Sequence, residues 1–321
     1  MTQQRLHAGD VVAVKSPEEI LQTLDTEGTL NQLPFMPEML GFCGRSFRVA
    51  QRVEMTCASG MDSPRGFLID DVVTLEGVRC SGAAHDGCQK ACAVFWRESW
   101  LRKVEEDTPQ SMSDPEGDRR LRARLKVMNG KSTYFCQASE LARVTYSLSR
   151  SQRVRMLLSG LRAGNFSIWQ MASGIGIWAF WRVRQLVLGI YMRGTNKTSP
   201  AENLNLQPGE WVEVKTRDGV VETLNERRGN RGLMFFPGMH LFCGRRYRVK
   251  GRLDRLIADG TGEMRKLKNT VLLDGVTCRC SYLGFGVGGC SRCEYAYWRE
   301  IWLRRVDDAG EERLHAANMN V

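Results

Sequence analysis

Short runs of β-branched and aromatic residues, partly alternating with polar ones, punctuate the first hundred positions: Val11-Val12-Ala13-Val14, Phe47-Arg48-Val49-Ala50-Gln51-Arg52-Val53 and Val72-Val73-Thr74-Leu75-Glu76-Gly77-Val78. Runs of that length and period predict strands. One short helix is expected between them. Ser16 stands as its N-cap, Pro17 as its first-turn proline and Glu19 as the carboxylate that closes a capping box, while Ile20, Leu21 and Leu24 form an apolar face before Gly28 stops it. The stretch from Trp96 to Val104 fits both periods. As a strand it puts Trp96, Glu98 and Trp100 on one face; as a helix it stacks Trp96, Trp100 and Val104.

The same pattern returns about two hundred residues later. Gly9-Asp10-Val11-Val12-Ala13-Val14-Lys15 recurs as Gly209-Glu210-Trp211-Val212-Glu213-Val214-Lys215, and Phe42-Cys43-Gly44-Arg45 recurs as Phe242-Cys243-Gly244-Arg245. Phe95-Trp96-Arg97-Glu98-Ser99-Trp100-Leu101-Arg102 matches Tyr297-Trp298-Arg299-Glu300-Ile301-Trp302-Leu303-Arg304. An internal repeat fixes domain boundaries without any outside reference. It predicts units at 9–104 and 209–306, a flexible linker at 105–130, a basic and partly apolar helical insert at 131–200, and a polar tail at 307–321. The second copy has Gly219 where the capping-box carboxylate should be, so its helix is expected to be weaker. The expected fold class is mainly β with some α: two tandem SH3-like small β-barrels, each with a four-cysteine metal site, separated by the helical insert.

Eight of eleven cysteines fall at matching places, Cys43, Cys80, Cys88 and Cys92 in the first unit and Cys243, Cys278, Cys290 and Cys293 in the second. The intervals between them changed while the count held. That suits a metal, which needs four converging thiolates and is indifferent to loop length, so two zinc ions per chain are expected, with an iron–sulfur cluster as the alternative. Gly44, Gly87 and Gly289 suit tight turns beside the ligands. His85 could replace a thiolate, although an exposed loop histidine is the preferred reading, and Cys280 is a second candidate beside Cys278. Cys57 and Cys136 have no counterparts and read as plain buried thiols. Four thiolates close a zinc site to substrate, which points to a structural role.

Charge separates the segments further. The chain of 321 residues carries a net charge of +10. Residues 1–114 hold 11 Lys and Arg against 17 Asp and Glu, residues 115–200 hold 15 against 3, and residues 201–321 hold 20 against 16. The excess therefore belongs to the middle. It begins at Arg119-Arg120-Leu121-Arg122-Ala123-Arg124-Leu125-Lys126 and is followed by an apolar stretch from Ile168 to Met192, rich in tryptophan and interrupted by Arg182 and Arg184. Arginines inside a span oppose insertion across a bilayer. The segment reads either as a helix packed inside the protein or as an interfacial helix, so an anionic membrane surface is an expected partner through 150–195, beside a protein partner. Arg45, Arg48, Arg245, Arg246 and Arg248 make nucleic acid a lesser alternative, weakened by the net negative charge of the first unit. The polar start from Met1 to Arg5 shows no secretory signal, so a cytoplasmic, reducing location is expected, with membrane association if the insert meets lipid.

At Leu33-Pro34-Phe35-Met36-Pro37-Glu38-Met39-Leu40 with Phe42-Cys43-Gly44-Arg45, at Leu75-Glu76-Gly77-Val78-Arg79-Cys80 with Ala84-His85-Asp86-Gly87-Cys88, and at Tyr134-Phe135-Cys136-Gln137-Ala138-Ser139-Glu140-Leu141, the chain resembles a family of uncharacterised bacterial proteins. The resemblance covers nearly the whole length and implies a bacterial source and the tandem design. It brings no activity across. It does place Cys136 in a family motif, against its reading as a stray thiol. The expected function is thus a non-enzymatic, zinc-binding repeat protein that serves interaction or scaffolding. An enzyme is the alternative, using Cys43 and Cys243 or the carboxylates Glu98 and Glu300; the neighbouring Arg97 and Arg299 suggest salt bridges for those carboxylates instead. Only four histidines are present, and none is repeated in both units.

Overall fold

The structure is a computed structural model, and it describes residues 5–57, 64–105, 114–188, 192–236, 238–278 and 292–306. The fold is mainly β with some α, with two curled antiparallel half-barrel sheets. Along the first repeat run β1 (Val11–Val14), α1 (Pro17–Leu21), β2 (Thr29–Leu30), β3 (Leu33–Pro34), β4 (Ser46–Arg52), β5 (Arg65–Phe67), β6 (Val72–Arg79), β7 (Ala93–Arg97) and β8 (Leu101–Lys103). The middle of the chain gives α2 (Pro115–Arg124), β9 (Met128–Asn129), β10 (Thr133–Tyr134), α3 (Gln137–Glu140), β11 (Thr145–Ser147), α4 (Arg150–Arg162) and α5 (Ile168–Leu188). The second repeat gives β12 (Trp211–Val214), α6 (Arg217–Val221), β13 (Gly229–Asn230), β14 (Leu233–Met234), β15 (Arg246–Arg252), β16 (Arg255–Ile257), β17 (Met264–Lys266), β18 (Thr270–Thr277), β19 (Tyr295–Arg299) and β20 (Leu303–Arg305).

The described residues group into two compact units, one made of 5–179, 255–265 and 292–294, the other of 180–254, 266–278 and 295–306. Each is organised by a five-stranded antiparallel sheet of the same order, β7-β6-β4-β1-β8 in the first and β19-β18-β15-β12-β20 in the second. Register repeats as well: Val11 faces Arg48 as Trp211 faces Arg248, and a bulge falls between Val49 and Gln51 as between Val249 and Gly251.

The segment that fitted two periods is neither one strand nor one helix. The strand β7 ends at Arg97, a single 3-10 turn covers Glu98–Trp100, and β8 starts at Leu101. That turn lets Trp96 and Trp100 enter the same core from successive elements. Both are fully buried against Phe35, whose ring meets them edge-on at 6.1 and 5.2 Å. In the second unit Phe235 meets Trp298 and Trp302 at 6.0 and 5.2 Å. The indole N–H of Trp100 donates to Thr23 Oγ1 at 3.0 Å, and that of Trp302 to Thr223 Oγ1 at 3.0 Å. Trp100 and Trp302 thus keep their one polar atom satisfied, whereas the indole nitrogens of Trp96 and Trp298 are buried without a hydrogen-bond partner among the described residues.

The capping box at Ser16 and Glu19 forms, with Ile20 and Leu24 buried beneath it. In the second copy Thr216 Oγ1 accepts from Gly219 N at 3.3 Å and α6 reaches the same five residues without a box carboxylate. Residues 114–124 of the expected linker are not bare. Asp114 caps α2, and Leu121 in that helix is 0% exposed within the first core. Basic residues of this stretch find acidic groups and a carbonyl of the first repeat: Arg120 pairs with Glu18 at 3.2 Å, Lys126 pairs with Glu27, and Arg124 donates to Asp25 O at 3.2 Å. The insert is also less helical than its pattern suggested. Its first part folds into the first unit, where β11 pairs with β5 and Tyr134, Cys136, Ala138, Leu141 and Val144 join the core.

Glu98 and Glu300 are buried, but their guanidinium partners are not the adjacent arginines. Glu98 Oε1 lies 2.5 Å from Arg52 Nη1 and accepts from Leu6 N at 2.7 Å. Glu300 Oε1 lies 3.1 Å from Arg252 Nη1 and accepts from Leu206 N at 3.2 Å. Arg97 instead meets Asp71, and Arg299 donates to the carbonyls of Lys268 and Arg231; each arginine ends its strand, and the glutamate after it opens the 3-10 turn. Replacing one member of a buried ion pair strands the other charge. Glu98→Gln should therefore lower stability by about 3 kcal/mol, whereas Arg102→Gln, which breaks an exposed pair with Glu19, should cost under about 1 kcal/mol. Urea denaturation of the two variants checks the difference, and equal losses would contradict it.

Candidate functional site

The hairpin between β6 and β7 carries the cysteine loop. Cys80 follows β6 and Cys92 precedes β7, with the Cys80 amide donating to the Cys92 carbonyl at 2.9 Å. The loop closes on Gly82, whose carbonyl accepts from His85 N and Gly87 N at 3.0 Å each. Gly82 sits at φ +69°, and a Cβ there would stand 2.0 Å from the Cys88 carbonyl oxygen, so this turn requires glycine. It returns the chain so that Cys88 faces back toward Cys80 and Cys92.

Those three sulfurs line one small cavity of about 30 Å³, and the fourth thiol in its wall is Cys136, not Cys43. Cys136 comes from the insert, at the N-cap of α3. Its placement is fixed by Gln137, whose side-chain amide accepts from Phe95 N and donates to Phe95 O, both at 2.8 Å, pairing with the free edge of β7 as a neighbouring strand would. Gln137 Nε2 also donates to Pro34 O at 3.0 Å. Cys43 closes the 3-10 turn that precedes β4 and is absent from the cavity wall. The matching Cys-Gly-Arg of the two repeats marks that turn, with Gly44 and Gly244 both at φ +73°, which accounts for the repeated glycine.

Two segments of the second repeat belong to this first unit and complete the wall. Ile257 N donates to Cys88 Sγ at 3.4 Å. Arg292 grips Asp259 with both guanidinium nitrogens, at 2.7 and 3.0 Å, while Lys90 Nζ reaches the same carboxylate at 2.5 Å. Glu294 lies 3.3 Å from Lys90 and 3.5 Å from Arg292. Burial opposes the charge on Asp259, yet the two cations outweigh it and hold the carboxyl well below its usual range. Sequence reasoning missed Lys90, Asp259 and Arg292. Their only linear signal is a lysine inside one cysteine loop and an arginine inside the other.

Burial dominates the thiols. It pushes Cys92 up to about 12 against the pull of Lys90 and Arg292, and it raises Cys80 and Cys136 too. Cys43 is pushed up to about 12 and Cys243 to about 11, so both are protonated at neutral pH, which is the opposite of an activated nucleophile. Among the described residues no three His, Cys, Asp or Glu side chains converge as a set of metal ligands. The cavity thiols are therefore neighbours around one small space. Of the second expected set, Cys243 and Cys278 lie in the second unit and Cys293 in the first, while Cys280, Gly289 and Cys290 fall outside the described residues.

His85 is not an exposed loop histidine. It is 1% exposed, with Nδ1 2.7 Å from Glu38 Oε1 and Nε2 3.1 Å from the Phe135 carbonyl oxygen. Both ring nitrogens are occupied, so it holds the loop in place. Burial pulls its pKa down, but the Glu38 hydrogen bond and charge outweigh that and raise it; Glu38 is lowered by the same partner against its own burial. The stabilisation from His85 is complete below the unfolded histidine value and fades as pH rises through the higher folded value; that from Glu38 fades on acidification. His85→Asn should thus cost about 3 kcal/mol at about pH 6 and distinctly less at about pH 9. Urea melts at the two values read this directly, and a loss independent of pH would contradict it.

Comparison of the chain with protein-family models, with curated proteins and with solved structures returns no match, so a functional reading rests on the repeated architecture and on the chemistry of this cavity.

Proposed function

We propose that the chain is a non-enzymatic interaction or scaffold protein built from two SH3-like barrels, with a structural zinc–thiolate centre of Cys80, Cys88, Cys92 and Cys136 in the first unit. The observation that carries it is the gathering of four thiols from two distant parts of the chain around one cavity. Four soft sulfur donors are the complement of a closed tetrahedral zinc site. Their surroundings fit as well. A tetrathiolate zinc carries two net negative charges, and the cavity wall supplies Lys90, Arg292 and an amide hydrogen bond to Cys88 Sγ. Binding would draw the sulfurs together and release their protons.

The barrel identity is supported by the strand order and by the 3-10 turn between the last two strands of each sheet, an arrangement that SH3-like barrels share. A structural role for the metal follows from what it would join. Cys80, Cys88 and Cys92 belong to a hairpin loop and Cys136 to the insert, so one ion would fasten two separate stretches of the first unit, with Ile257 and Arg292 of the second repeat packed beside it. Such sites contribute about 10–16 kcal/mol of folding free energy in zinc-finger peptides. The enzymatic alternative loses support from its own candidates, since Cys43 and Cys243 are half-buried thiols whose pKa desolvation raises, and Glu98 and Glu300 are tied to arginines and backbone amides.

Elemental analysis of protein purified without oxygen tests the ligand set. Cys136→Ser should lose one zinc per chain relative to the parent, and Cys43→Ser should lose none. Retention by Cys136→Ser, loss on Cys43→Ser, or a broad visible absorbance from an iron–sulfur cluster would each overturn the proposed centre.

A further inference from the structure

The helix α5 presents apolar side chains to solvent along its whole length. Trp169 is 84% exposed, Ile177 59%, Val183 60% and Leu186 75%, and Ile168 and Leu188 mark its two ends in the same state. A helix of a water-soluble surface confines such residues to one stripe, and contiguous exposed apolar area marks a binding surface. Twenty-one residues at a helical rise cover about 30 Å, but among the described residues no helix is long and apolar enough to cross a membrane.

Charge identifies what covers it. Between Glu140 and Glu202 the chain has nine Lys and Arg residues and no Asp or Glu. The helix α4, capped by Ser149, carries Arg150, Arg155 and Arg162 in the stretch directly before α5, all three exposed. We propose that α4 and α5 dock on the surface of an anionic lipid bilayer, with the apolar side chains of α5 in the interfacial layer and the arginines of α4 among the headgroups. Nucleic acid would answer the arginines but leave Leu186 and Val183 in water. A second copy of the chain would cover the apolar residues but bring the same positive charge against itself. Only an anionic amphiphile matches both features at once.

Flotation of the full chain with vesicles tests this. It should rise with vesicles of phosphatidylcholine mixed with phosphatidylserine, stay down with phosphatidylcholine alone, and lose binding as salt increases. The variant Trp169→Ser, Val183→Ser, Leu186→Ser should abolish flotation, and Arg150→Gln, Arg155→Gln and Arg162→Gln should each weaken it about fivefold. None of these side chains is buried, so melting curves should match the parent; if the serine variant melts early, the arginine series carries the test. No flotation on anionic vesicles, unchanged flotation of the variants, a lipid-free dimer that the serine substitutions dissociate, or gel retardation of nucleic acid without flotation would each overturn the proposal.

Discussion

Each unit is organised around a carboxylate that no water reaches freely. Glu98 takes the guanidinium of Arg52 from β4 and the amide of Leu6 from the segment before β1; Glu300 takes Arg252 from β15 and the amides of Leu204, Asn205 and Leu206. A buried charge is tolerated only when its partners are fixed. The requirement therefore dictates more than one contact. It sets the 3-10 turn that presents the glutamate, the exit of the long strand that presents the arginine, and the path of the chain entering the unit. The tryptophans on either side of each glutamate fill the core that this frame encloses.

The two copies keep that frame and differ in what is attached to it. In the first unit the insert supplies Gln137 to the edge of β7 and Cys136 to the cavity, and β11 pairs with β5. In the second copy the strand after the bulged one, β16, pairs with its own neighbour β17 instead. Divergence is concentrated where an edge or a loop was open to new partners, while the paired interior of each sheet retained its register. The buried Lys90, Asp259, Arg292 and Glu294 group belongs to the same divergence. Four charges that would each be costly alone become compatible with burial because two are of each sign and the arginine is bidentate.

Features with local causes were legible in the sequence. The strands and the capping box at Ser16 follow from residues within a few positions of one another, and the repeat from the self-similarity of such stretches. What escaped was long-range. Arg97 is next to Glu98 in the chain and Arg52 is not, yet the strand ends at Arg97 and the turn that follows presents Glu98 to Arg52 at the end of β4. Likewise Cys43 repeats and Cys136 does not, so counting matched cysteines points to Cys43, whereas the fourth thiol in the cavity wall is Cys136. His85 looked like a loop residue because the loop is polar, and only the fold brings Glu38 and Phe135 over it.

The charge imbalance resolves in a related way. The first repeat is acidic and α2 is basic, and Glu18 and Glu27 meet Arg120 and Lys126 directly, so part of what reads as a demand for an external partner is met within the chain. These exposed pairs add little stability individually, but they remove the basic tract of α2 from the search for an anionic ligand. The same balance is not reached after Glu140. Arg143 pairs with Glu140 and Arg193 with Glu226, but the stretch holds nine cations and no acid of its own, and it also exposes its leucines and a tryptophan. Two independent deficits, of negative charge and of apolar cover, fall on one short stretch. A surface with that double requirement is matched by a partner that is itself anionic and apolar within a few ångströms, which is the composition of a bilayer interface and of few folded proteins.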